Sequence, residues 1–107
     1  MLRERGVEAR VLRTRAHFSL DDLAALVDRR TRLILASQVS YLTGQRLDLA
    51  RCADIAHGVG GRLAVDATHA AGVVPVPGGA CDFVVSSCYK WLLPPTGSAS
   101  SLHRRRE

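Results

Sequence analysis

Lysine is almost missing from this chain. Of its fifteen basic residues fourteen are arginine, and Lys90 is the single lysine. Aromatic residues are scarce at 5% of the 107 residues, and none interleave with the one arginine run, Arg104 to Arg106, to stack on bases. The net charge of +5 comes mostly from arginines scattered among acidic neighbours. Nucleic acid is therefore not expected as a partner. No apolar run is long enough to span a bilayer, so no membrane partner is expected either. The charged start, MLRERGVEAR, has no apolar core behind it, so no signal peptide is read and the cytoplasm is the expected compartment. The three cysteines, Cys52, Cys81 and Cys88, form no C-x-x-C pair. A disulfide framework or a zinc site is not expected, and reduced thiols fit better. No glycine-rich phosphate loop of the nucleotide-binding types is present; residues 58–61 (GVGG) are too few and follow a helix.

Strand and helix signals alternate along the chain. Residues 8–12 (EARVL) alternate polar and apolar, which predicts a short strand. Ser19 is placed to cap a helix, with Asp22 completing a capping box. Leu20, Leu23, Leu26 and Val27 then share one face, predicting a helix over about 20–29. Residues 33–36 (LILA) read as a buried strand, followed by a polar loop over 37–46. Leu49, Cys52, Ala53 and Ala56 form the stripe of a second helix over 48–57, ended by Gly58, Gly60 and Gly61. Residues 63–65 and 83–85 predict two further strands, with a glycine- and proline-rich connection over 72–79 between them.

Apolar strands alternating with helices predict an α/β fold with a mostly parallel sheet flanked by helices. Residues 1–97 are expected to form one partial domain, and 98–107 (SASSLHRRRE) a disordered basic tail. In parallel sheets ligands sit beyond the carboxyl ends of the strands. Those ends carry residues 37–44, 66–69 and 86–90, so the candidate chemistry gathers at one edge. Arginine stays protonated, whereas a desolvated lysine yields a free amine able to form an imine with a carbonyl. Asp66 ends a strand, where a carboxylate either holds a cation or caps the following turn. His69, three residues on, either meets a planar ligand or lies on the surface. Ser86 and Ser87 suit a phosphate or simple turn chemistry, and Tyr89 adds a phenol or packs. His17, His57 and His103 lack partners at useful spacing and are read as structural or exposed.

Three segments resemble the central part of the large domain of class V aminotransferase-like pyridoxal-phosphate enzymes, a family with the fold of aspartate aminotransferase. They are YLTGQRLDL (41–49), VDATHAAGVVPV (65–76) and DFVVSSCYKWLLPPTG (82–97), in the family's order and spacing. The family includes cysteine desulfurases, kynureninases and isopenicillin-N-epimerase-like proteins. The Tyr before the lysine looks closer to the kynureninase and epimerase-like branches, since desulfurases usually have His there.

The resemblance implies a cofactor, pyridoxal 5′-phosphate, and a role for each matching residue. Lys90 sits where the family's lysine forms the Schiff base. Asp66 sits where an aspartate pairs with the pyridinium nitrogen. His69 takes the place of a His or Gln near the ring. Ser87 and Tyr89 fall where a serine and a His or Tyr bind the phosphate. Tyr41 and Thr43 lie in the loop that approaches the cofactor's 3′-oxygen. The implied substrate is an amino acid, and full-length relatives are expected to be homodimers. Departures are equally plain. Family members are several times longer, and the apolar strand expected after Gly97 is replaced by SASSLHRRRE. The resemblance thus implies a truncated piece, inactive alone, with a non-catalytic remnant or interaction module of the same fold as the alternative.

Overall fold

A computed structural model describes residues 2–14, 16–77, 79–88, 90 and 99–103. After a short 3-10 turn at Leu2–Arg5, the chain forms α1 (Leu20–Leu26), β1 (Leu33–Ser37), α2 (Leu49–Gly58), β2 (Arg62–Asp66), β3 (Phe83–Ser87) and β4 (Ala99–His103). The four strands form one sheet in the order β1-β2-β3-β4. The first three are parallel, with Ala36 opposite Val65 and Val65 opposite Val84. β4 runs antiparallel to β3, pairing Ser87 with Ala99.

Each helix follows from local chemistry. The Ser19 hydroxyl accepts from the Asp21 N–H at 3.0 Å, and the Ser19 N–H donates to Asp22 Oδ2 at 3.1 Å. The expected capping box forms. α1 stops at Leu26, short of Arg29, because Asp28 and Thr31 turn the backbone back. The Asp28 N–H donates to the Thr31 hydroxyl, and the Arg30 N–H donates to Asp28 Oδ1. Such side-chain bonds compete with helix continuation. Asp48 caps α2 by accepting from the Arg51 N–H at 3.1 Å. At its far end Gly60 takes φ +77°, its N–H donating to the His57 carbonyl and that of Gly61 to the Ala56 carbonyl. This paired closure requires a left-handed residue, which glycine adopts without strain. Gly61 is needed for a different reason, since a Cβ there would lie 3.1 Å from the Thr31 carbonyl oxygen.

The predicted stripe of α2 is the one that is buried: Leu49, Cys52, Ala53 and Ala56. It packs with Ile34, Leu63 and Val65 of the sheet, while Leu20 and Leu23 of α1 close the margin. The opposite face of the sheet is open among the described residues. Leu33, Leu35 and Val85 point there and are exposed, Leu35 by 70%.

Two expectations are corrected. Residues 8–12 form no strand; they find no pairing partner. Arg10 instead crosses to α1, its Nη1 donating to the Leu26 carbonyl at 3.1 Å and to Asp28 Oδ2 at 2.8 Å. A guanidinium thus serves the carbonyl end of the helix, where a cation is favoured. The expected disordered tail contains β4, because β3 offers an unpaired edge that the backbone of residues 99–103 satisfies whatever its polarity. Residues 104–107, which carry the arginine run, lie outside the described residues. Among the described residues no helix is long and apolar enough to cross a membrane, and no cluster of metal-ligating side chains forms.

At the amino edge of the sheet Asp82 is buried. Its Oδ2 accepts from the Leu63 N–H at 2.8 Å and lies 2.8 Å from His57 Nε2. His57, read from the sequence as structural or exposed, therefore fastens the end of α2 to the root of β3. Asp82→Ala leaves the buried Leu63 N–H without an acceptor and should lower the unfolding free energy by about 1–3 kcal/mol, read as a lower urea midpoint. An unchanged midpoint would contradict this role.

Burial pushes the Cys52 thiol from 9.0 up to about 11, with smaller contributions from Asp48 and Cys81. Burial raises Cys81 as well. Because the folded state resists ionisation of these thiols, their stabilising contribution holds below pH 9.0 and is lost as pH climbs toward about 11. Urea midpoints across that window should fall, and Cys52→Ala should flatten the fall. At neutral pH, alkylation of the folded chain should spare Cys52, which unfolding exposes.

Candidate functional site

The parallel register brings the carboxyl ends of β1, β2 and β3 to one edge. Ser37, Asp66 and Val85 lie in register across the three strands, on the open face. Ser87, two residues beyond Val85, shares that face. Asp66 is therefore displayed at the strand end and is half-buried. Its Oδ1 accepts from the Thr68 N–H at 2.9 Å. Its backbone carbonyl accepts from the Gln38 N–H at 3.0 Å, tying the loop after β1 to the same point.

Gln38 braces this corner from beneath. It is buried, and its Nε2 donates to the Pro75 carbonyl at 2.8 Å. The loops after β1 and β2 thus meet through Gln38, and a second time through side chains. The rings of Tyr41 and His69 lie with centroids 5.9 Å apart and planes tilted by 30°. Tyr41 is exposed and His69 half-buried. Thr43 is turned inward to its own loop, its hydroxyl accepting from the Gln45 N–H at 3.2 Å.

Thr68 joins the second and third loops. It is 9% exposed, and its hydroxyl accepts from the Ser87 N–H at 3.1 Å. A shallow cleft of about 270 Å³ opens beside it, lined by Asp66, Thr68, Ser86, Ser87, Ser100 and Ser101. Ser86 itself is buried, its hydroxyl turned to the Ser87 carbonyl. Lys90 follows in a turn and is exposed. Tyr89, expected beside the phosphate, lies outside the described residues.

The structure thus gathers Asp66 with Ser87, and Tyr41 with His69, at one edge. Gln38 and Thr68 were not singled out by the sequence. Thr68 had a legible signal, a hydroxyl two residues after an aspartate at a strand end, where such turns form. Gln38 had none, because the acceptors of its backbone N–H and its side chain are 28 and 37 residues away.

This chain has relatives of known activity. A family model described as aminotransferase class-V matches residues 1–102. A cysteine desulfurase of Enterobacter sp. (strain 638) is 37% identical over 102 residues, covering 91% of this chain and 25% of the relative. An isopenicillin N epimerase of Streptomyces clavuligerus is 38% identical over 78 residues, covering 68% and 19%. The crystal structure of a cysteine desulfurase from Escherichia coli matches with a TM-score of 0.72 and 31% identity, over 79% of this chain and 22% of that one. The chain spans about a quarter or less of the length of these relatives. They include both a desulfurase and an epimerase, so the family is shared more widely than any one of its reactions. By the model that covers nearly all its residues, by its relatives and by its fold, this chain belongs to the class V aminotransferase family.

Proposed function

We propose that this chain is the cofactor-holding part of a pyridoxal-phosphate enzyme that acts on an amino acid. The observation that carries the reading is Asp66: a carboxylate at the sheet edge with one oxygen bonded to the Thr68 N–H and no hydrogen bond to the other among the described residues. The chemistry of the residues assigned to the site fits the cofactor. A carboxylate suits a protonated pyridine nitrogen. The His69 ring suits the face or edge of a planar heterocycle. The Ser87 and Tyr89 hydroxyls suit a phosphate, and the Lys90 amine suits an aldehyde. Tyr41 and Thr43 belong to the loop on the 3′-oxygen side.

When bound, pyridoxal phosphate supplies an electron sink for the carbanion at the substrate's Cα. The chain's own residues do the rest. Asp66 would keep a proton on the ring nitrogen through opposite charge. Lys90 would hold the cofactor through Nζ and, once released, would serve as the base that moves the proton at the substrate's Cα. Transamination, epimerisation and desulfuration share these steps, and the residues that choose among them belong to no segment recognised in this chain. Full-length enzymes of this kind work as homodimers, and cytoplasmic residence fits the reduced thiols. Alone, the described edge forms one open wall of a site. Exclusion of water, on which such chemistry relies, needs further walls. We therefore expect the 107 residues to take up cofactor without turning over substrate.

The test uses the purified chain, pyridoxal phosphate and borohydride, followed by mass analysis of the modified site. With one lysine, only the N-terminal amine competes. The expected result is an adduct at Lys90 that weakens roughly tenfold or more in Asp66→Ala, the order expected when a charged hydrogen bond is lost. Labelling of Lys90 no better than the N-terminal amine, and indifferent to Asp66, would leave a remnant of the fold without its chemistry.

A further inference from the structure

We propose that Thr68 is a positioning residue that holds the carboxylate and the phosphate ends of the site in fixed relation. The inference rests on the cofactor reading above and adds a residue to it. In a parallel ladder the Ala67 N–H donates to the Val85 carbonyl, as observed at 2.8 Å. The next rung would run from the Ser87 N–H to the Ala67 carbonyl. That carbonyl is already occupied, since the chain turns at once and it accepts from the N–H groups of Ala70 at 2.9 Å and Ala71 at 2.7 Å. The Thr68 hydroxyl stands in for it, accepting from the Ser87 N–H at 3.1 Å. A side chain therefore completes the ladder where the backbone has left it.

The substitution has a consequence at each end. Thr68 also gives its own N–H to Asp66 Oδ1 at 2.9 Å. One residue thus fixes the carboxylate through its backbone and Ser87 through its hydroxyl. With its N–H held by Thr68, Ser87 presents its hydroxyl, not its amide, to a phosphate. Threonine suits the task because a β-branched side chain is stiff at χ1, and this residue is only 9% exposed. Valine has the same shape without the acceptor.

The experiment compares Thr68→Val and Thr68→Ser with the unchanged chain. Uptake of pyridoxal phosphate is titrated by borohydride trapping at Lys90, and uptake of pyridoxal, which lacks the phosphate, is measured alongside. Thr68→Val should weaken pyridoxal phosphate roughly three- to tenfold, the range of one lost hydrogen bond, and leave pyridoxal unchanged. Thr68→Ser should recover most of the loss. Amide hydrogen exchange without cofactor should show Ser87 protected in the unchanged chain and in Thr68→Ser, and unprotected in Thr68→Val. Equal loss for both ligands would mean general destabilisation and would overturn the proposal, as would a Ser87 amide equally protected in Thr68→Val. Equal uptake of pyridoxal phosphate by Thr68→Val and the unchanged chain overturns the role of Thr68 while the cofactor reading stands. No uptake by the unchanged chain overturns that reading and this role together.

Discussion

Everything at the carboxyl edge of the sheet depends on β2 being paired in parallel on both sides. Its neighbours enter from the same direction, so three strands end together and three loops leave from one line. Parallel pairing needs crossovers, and α2 supplies the one between β1 and β2. The packing that secures it is modest in size: Leu63 and Val65 beneath the sheet, the small face of α2 above them, and Ile34 alongside. Small side chains at Ala53 and Ala56 let the helix approach the strands closely. If β2 slipped by one residue, Asp66 would move to the covered face and the carboxylate would be lost to the site.

Polar bonds at the two ends of β2 do different work. At the amino edge, Asp82 takes up the Leu63 N–H and His57. At the carboxyl edge, Asp66, Thr68 and Ser87 form a chain of bonds that starts where the ladder stops. The first is made within the fold, with Asp82 buried and His57 at the surface. The second lies at an open cleft and leaves acceptor capacity on Asp66. Among the described residues Asp66 is held on one oxygen and has no hydrogen bond on the other, the asymmetry on which the proposed cation-binding role rests.

How much of this was legible in the sequence depended on how local the cause was. The capping box at Ser19, the stripe of α2 and the positions of β1 to β3 rest on residues a few positions apart, and they form as read; β1, read as buried, is covered on one face only among the described residues, with Leu33 and Leu35 exposed. Residues 8–12 alternate correctly for a strand, yet alternation supplies no partner, and Arg10 is drawn to Leu26 and Asp28 instead. The serine-rich segment 99–103 looks wrong for a strand and becomes one, because the open edge of β3 decides the matter. His57 and Asp82 are 25 residues apart, and nothing in either neighbourhood announces the pair. The site divides in the same way. Asp66, His69 and Lys90 stood out by type and position, whereas Gln38 and Thr68 matter through the ladder they complete.

The His57–Asp82 clamp has a consequence for how this sheet tolerates change. It fastens the strands at the edge opposite the proposed site, so the residues of the clamp and those proposed to face a ligand do not overlap. Polar groups at functional sites usually cost stability, and a fold that must satisfy both demands at one place has little freedom. Here the strand length separates them. A scaffold anchored at one edge leaves the loops at the other free to vary over an unaltered foundation.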